Sequence, residues 1–394
     1  MHQQIITSIS RFITLLVALL FLTGSVSAQC PEPPTDTFAT SLRAPLSSAL
    51  TNQGNILISE TGTTTLRSGR ISILDQLGNR RTLLDGIPSA INDVNEPAGP
   101  AGIFMRGRTL YVAIGTGDAG RPGPAQGTTM VNPNPVSSPI FSSVLGIQFS
   151  ANTEDTTSGF TLTPADDQSL ANGETVVLSD TAGGTLRIRL IVDFPNYVSN
   201  PLPTFAQNIQ LSNPYGLVAV DDALYVTDGG RNRVWQVDLL TGSFSTLVTF
   251  APIANPFFGI AGGPFLDAVP TGITALNNKL LVTLFRGVPF PPGASTVQEI
   301  DIASATQSVL IGNRKTAIDV IPLDEDGDVD YLVLQHASAG LFFASPGLVL
   351  RFEDPAASPT TVKGCLVRPT SMTLNKKTGT LYITEYGGRV VAIQ

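Results

Sequence analysis

The chain has 394 residues, a formal net charge of −8 and only 14% charged side chains. An acidic chain of this kind is a poor partner for nucleic acid, whose phosphates need a basic face. Its 37 glycines and 29 prolines argue against long helices and for many short strands joined by turns.

The N-terminal stretch reads as an address label. Arg11 precedes a mostly apolar run over residues 12–22, and Val26-Ser27-Ala28 offers side chains that a signal peptidase accepts. Residues 1–28 are therefore expected to be a signal peptide, too short to span a membrane, and no later run approaches about 18 apolar residues. The mature chain is expected to be secreted or periplasmic, a monomer, without a membrane span. Cys30 and Cys365 are the only cysteines, and an oxidising compartment permits a disulfide between them. A lipid anchor on Cys30 is the rival reading, disfavoured because Gln29 stands where a small residue is usual.

The repeat unit is plainest at residues 211–250. Asn213-Pro214-Tyr215-Gly216 leads into an apolar strand, and Leu224-Tyr225-Val226-Thr227-Asp228 is a second. A Gly/Asx turn follows, then the alternating Val234-Trp235-Gln236-Val237-Asp238, then a fourth strand near residues 245–250. Four antiparallel strands in about 40 residues is the size of one propeller blade. Similar units begin at Pro45, Pro100, Pro270, Ile318 and Pro369, so an all-β, six-bladed propeller is expected. The spacing from Pro100 to Pro214 is about twice the usual, which places an insertion at about 120–205, within or after blade 2. It holds a Pro/Gly-rich loop and a hairpin around Ala182-Gly183-Gly184. Blade 6 ends one strand short. Residues 38–42 belong to no other blade and are the expected closing strand, since an open sheet edge invites aggregation. The Cys30–Cys365 bond would lock that closure.

These motifs resemble NHL-type repeats. Asn213-Pro214-Tyr215-Gly216, Leu224-Tyr225-Val226-Thr227-Asp228 and Gly287-Val288-Pro289-Phe290-Pro291-Pro292-Gly293 more specifically resemble the ScyD/ScyE family of exported bacterial propellers. The resemblance implies a six-bladed NHL/TolB-like fold and export. It brings no catalytic residues. It weakens in blade 5, where the P-x-G start is replaced by Thr316-Ala317-Ile318, and in blade 6, where Ser371 takes the place of the glycine.

Four groups of residues are candidate sites. Glu60, Asp228 and Glu385 lie after the second strands of their blades; they read either as a polar channel ring or as acids paired with Arg70, Arg231, Arg233 or Arg389 inside each repeat. Asp324, Asp326, Asp328 and Asp330 flank Gly327, which suits Ca²⁺ or, alternatively, a solvated hairpin. His336 is the only histidine after the signal; it excludes multi-histidine zinc sites and is the one candidate for a general base. Phe257, Phe258, Phe265, Phe285, Phe290, Phe342 and Phe343 sit on loops expected at one face, with few charges among them. They read as a satellite core or as a pocket for a hydrophobic or aromatic small molecule or a partner protein. The leading expectation is a non-catalytic binding or scaffolding propeller. The alternative is a propeller hydrolase or oxidoreductase using His336 and channel carboxylates.

Overall fold

The structure is a computed structural model that describes Cys30 and residues 36–125, 127–325 and 327–394. The expected signal peptide lies outside the described residues. Short runs rich in Val, Ile, Leu, Thr and Tyr, each ended by Gly, Asn or Asp, pair as antiparallel meanders. Blade 3 has the plainest form: Pro214–Val220, Ala223–Asp228, Arg233–Asp238 and Phe244–Thr249 in sequential order. Blade 1 begins with Pro45–Leu50, blade 2 with Pro100–Arg106, blade 4 with Pro270–Leu276, blade 5 with Ala317–Glu325 and blade 6 with Pro369–Asn375. Each of these first strands touches the next, and the sixth touches the first, so six sheets close into a ring.

The core lies between blades. Six apolar clusters each draw side chains from two adjacent sheets, as where Leu217 and Val226 of blade 3 meet Val144 and Tyr111 of blade 2. Second strands are covered on both faces by neighbouring blades, so Ile56–Glu60 and Thr380–Glu385 are buried at every position. That is why they read as continuous apolar runs and do not alternate. Each fully buried Ile or Leu there contributes roughly 1.5–3 kcal/mol.

Ring closure uses both ends of the chain. Thr37–Ala39 pairs antiparallel with Arg389–Ile393, through Thr37↔Val391 and Ala39↔Val390. Leu42 N–H donates to the Gly388 carbonyl at 3.1 Å, so residues 38–42 do border blade 6, although the regular strand is shorter and starts one residue earlier. Phe38 packs edge-on against Tyr382 at 5.0 Å, and Asp36 pairs with Lys363. Cys30 and Cys365 are joined in a disulfide.

The interval 120–205 supplies blade 2 with its third strand, Ser143–Phe149, and its fourth, Thr185–Asp193, with Val176–Ser179 as a fifth. Between the third and fourth strands run two short helices, Ala151–Thr156 and Pro164–Ala171. No helix is evident from apolar periodicity, because these are too short and polar to show one. Their caps are legible, however: Thr163-Pro164-Ala165-Asp166 makes a capping box with proline in the first turn. Phe160–Thr161 pairs in parallel with Arg80–Ile87 of blade 1, and Arg67 forms an ion pair with buried Asp167. This part of the interval therefore clasps the outer edges of blades 1 and 2. Of this stretch, residues 115–125, 127–142 and 194–213 lie on the face where first strands begin, packed on each other through Ala119, Ile209 and Leu211.

Candidate functional site

The position that ends each second strand pairs across to the residue that opens the first strand. It is occupied by Glu60, Ile114, Asp228, Leu284, Gln335 and Glu385 in blades 1 to 6. The three carboxylates are fully buried and face donors of their own blade. Glu60 accepts from Arg70 Nε at 2.8 Å and Nη2 at 2.5 Å, from Ser72 Oγ, and from the Arg43 N–H at 2.5 Å. Glu385 accepts from the Val367 N–H at 2.7 Å and Arg389 Nε at 2.5 Å. Asp228 accepts from the Asn213 N–H at 2.7 Å, the Arg231 N–H at 3.0 Å and Trp235 Nε1 at 3.0 Å. Burial pushes the Asp228 carboxyl up, against those hydrogen bonds. In blade 5 the polarity reverses: Gln335 Nε2 donates to the Lys315 carbonyl at 2.7 Å. Each side chain thus fastens the loop leading into strand one to the end of strand two. None of them lines the central cavity. Of the two readings of Glu60, Asp228 and Glu385, the hydrogen bonds follow the intra-repeat one, because a buried carboxylate needs several donors and these are supplied locally.

His336 is also held within the fold. One ring nitrogen, Nδ1, lies 2.9 Å from the Pro369 carbonyl, and Nε2 accepts from Arg368 Nε at 3.3 Å. Burial lowers its pKa to about 4, aided by Arg368 and Lys315, so the ring is neutral with Nδ1–H donating. A general base would need a free nitrogen facing a substrate, and here both are engaged.

The phenylalanines divide into two layers. Phe285, Phe290 and Phe343 pack with His336: Phe290 stacks on Phe343 at 4.7 Å, and Phe343 meets His336 edge-on at 4.7 Å. Arg368 caps this layer, lying between the rings of Phe343 and Tyr386 at 5.3 and 4.8 Å. Outside it, Phe258, Phe265 and Phe342 are 63%, 64% and 49% exposed, beside Ile260 at 82%. Phe257 is half-buried, its N–H turned onto Asn255 Oδ1. The three loops touch through their backbones. Phe342 N–H donates to the Pro289 carbonyl at 2.8 Å, and Gly262 lies so close to the Val288 carbonyl that a Cβ there would come within 2.6 Å. Below them the buried Lys315 ammonium donates to the Phe342 carbonyl.

The acidic turn is a tight hairpin in which Gly327 N–H donates to Asp324 Oδ1 at 3.2 Å and Arg351 Nε donates to Asp330 at 2.6 Å. Asp328 is exposed, and Asp326 lies outside the described residues. Among the described residues no three Asp, Glu, His or Cys side chains gather as metal ligands. A cleft of about 650 Å³ lies on the opposite rim between blades 3 and 4, against the turn residues Asp221, Asp222 and Asn278.

The central channel carries groups that the sequence reading missed. Each first strand is bulged near its start, where the P-x-G motif falls. The third motif position is Ser47, Gly102, Gly216, Gly272, Asp319 and Ser371 around the ring. Glycine is required where the next strand presses in: a Cβ at Gly216 would sit 2.5 Å from the Thr271 carbonyl, and one at Gly272 2.6 Å from Ile318. Asp319 is the only carboxylate in this ring. Its oxygens accept the Val320 and Met372 N–H groups at 2.9 and 2.8 Å, and burial raises its pKa to about 7. Tyr215, one residue before Gly216, packs across to the cluster between blades 5 and 6. Its hydroxyl is buried without a hydrogen-bond partner among the described residues. The signal available in the sequence was the aspartate standing where the repeat has glycine.

No family model and no curated protein matches the chain. Among solved structures it is similar to a Bacteroides thetaiotaomicron protein provisionally described as a phosphatase, with a TM-score of 0.50 and 11% identity over 90% of this chain and 72% of that one. It is similar to an auxiliary nutrient binding protein from the same organism, at a TM-score of 0.49 and 8% identity over 91% and 75% of the two chains. It is also similar to a Thermus thermophilus protein provisionally described as a glucose dehydrogenase, at 0.48 and 14% over 91% and 99%. At these identities the likeness shows the six-bladed propeller fold alone.

Proposed function

We propose that this chain is an exported, non-catalytic binding propeller of the ScyD/ScyE type. Its loop sector over blades 4 and 5 would hold the apolar or aromatic part of a small molecule or partner protein. One observation carries the reading: Phe258, Phe265, Phe342 and Ile260 stand outside a fixed layer of Phe285, Phe290, Phe343 and His336. Large rings left in water on a rigid base are a recurrent mark of recognition surfaces. Propellers host both binding and catalysis, so the fold does not decide between them. The engaged nitrogens of His336 weigh against the hydrolase or oxidoreductase alternative. The disulfide, and the absence among the described residues of a helix long and apolar enough to cross a membrane, fit an extracellular or periplasmic setting.

The test is the double variant Phe258→Ser with Phe342→Ser, assayed by binding of anilinonaphthalene sulfonate and by thermal melting. Bound dye should fall by at least half while the Tm stays within about 2 °C, because little buried area is lost. Unchanged dye binding, or a Tm drop of many degrees, would show the outer rings to be core.

A further inference from the structure

The channel has a ligand chemistry of its own, independent of the loop sector. Its wall is built from the first strand of every blade and encloses a cavity of about 140 Å³. Most of that wall is apolar or already bonded. Ile103, Leu217, Ile273 and Met372 are apolar, and Ser48 is bonded to Thr373 across the junction of blades 1 and 6. Two groups stand apart. Asp319 lines the cavity with a carboxylate that has no Lys or Arg partner among the described residues, and each of its oxygens keeps lone pairs beyond the single N–H it accepts. Tyr215 lines the same cavity; its hydroxyl is buried without a hydrogen-bond partner among the described residues, and its phenol interacts electrostatically with Asp319 and Tyr386. A carboxylate without a counter-charge, beside a buried hydroxyl without a partner, forms a site that a cationic donor would complete.

We propose that the central channel binds a small primary ammonium ion, held by the Asp319 carboxylate and the Tyr215 hydroxyl, with its alkyl part against the apolar strands. Three features favour this class. A hard metal cation wants six or more oxygens, whereas only one carboxylate faces the channel. An ammonium has three donors and needs only a few acceptors, and aromatic rings at Tyr215 and Phe104 suit its charge. The cavity would take about four or five water-sized groups at ~30 Å³ each, the size of a propyl or butyl amine.

The site should load as pH rises, since Asp319, with a pKa of about 7, must ionise first. Lys279, Glu299, Asp301, Asp328, Asp330 and Tyr331, on strands packed against the Asp319 strand, lie toward its other end, past the Asp319↔Leu334 pair. The first strands of blades 4 and 6 carry no titratable side chain, so Tyr215 is the group that faces Asp319.

The experiment is calorimetric titration of the purified chain with n-butylammonium chloride in phosphate buffer at pH 8.5 and 5.5. Saturable binding is expected at pH 8.5, at least tenfold weaker at pH 5.5, lost in Asp319→Asn and several-fold weaker in Tyr215→Phe. The Asn side chain keeps one of the two acceptor oxygens that hold the Val320 and Met372 N–H groups; should that variant not fold, the Tyr215→Phe result and the wild-type pH dependence carry the test. The proposal is overturned by no saturable binding at pH 8.5, by equal affinity in Tyr215→Phe or Asp319→Asn, or by 1-butanol binding as well as the amine. It is equally overturned if Ca²⁺, and not the amine, is what Asp319→Asn loses.

Discussion

Replacing Glu60 by alanine separates a structural acid from a ligand-holding one. The change removes both oxygens that satisfy Arg70, Ser72 and the Arg43 N–H, and leaves the guanidinium of Arg70, only 5% exposed, without its counter-charge. Breaking a buried pair by removing one partner costs about 3–5 kcal/mol. Unfolding entropy near the melting point is about 2.1 cal/mol/K per residue, or ~0.75 kcal/mol/K for the roughly 360 residues from Thr35 to Gln394. The Tm should therefore fall by about 4–7 °C. Glu60→Leu with Arg70→Leu should recover most of that loss, since replacing both charges by apolar groups is often neutral. Scanning calorimetry at pH 7 with wild type, Glu60→Leu, Arg70→Leu and the double variant gives the coupling directly. A Glu60→Ala melting point within 1 °C of wild type, or a double variant no better than the single, would refute the account of Glu60 as an intra-blade fastener.

Two further outcomes follow from the geometry. His336 has a folded-state pKa of about 4 against 6.5 when unfolded, so its stabilising contribution is full above pH 6.5 and is lost as pH falls toward 4. That slope is worth about 3 kcal/mol at most, and His336→Phe should flatten it in melts recorded from pH 7.5 to 4.5; an unchanged slope would place the titration elsewhere. Reducing the Cys30–Cys365 bond opens a loop that spans nearly the whole ring, so the Tm should drop by an amount equivalent to at most about 4–5 kcal/mol; an identical Tm with and without dithiothreitol would show that the bond does not secure the closure.

The strand plan was legible because each repeat states its own boundaries. Pro at the start of strand one, a fully buried second strand and a Gly or Asx turn recur, and hydrophobic period and turn chemistry agree. The incomplete sixth repeat pointed to the closing strand by the same logic. The aromatic loops were also legible as a group, but their division into an inner and an outer layer was not. That division depends on which rings reach His336 and Arg368, residues of adjacent blades. The carboxylates were legible in the right turns, but with two readings open: a position after strand two can face the axis or the blade's own loop, and the partners Arg43, Asn213 and Val367 distinguish them. Asp319 and Tyr215 escaped because their setting exists only once six first strands, distant in sequence, close around an axis.

The joining of Thr37–Ala39 to Arg389–Ile393 sets an order of events in time. The earliest-made strand of the ring waits, unpaired, while five blades assemble from contacts between near neighbours in the chain. Only the arrival of residues 389–393 gives it a partner, and that long-range step is the slow kind. A chain lacking residues 389–393 would keep five sound blades and yet show two ragged flanks, Thr37–Ala39 on one side and Thr380–Glu385 on the other. Such a product would be sticky and readily degraded. The seam thus makes the closed ring conditional on residues 389–393: its flanking edges become inert toward their neighbours only once that strand is in place.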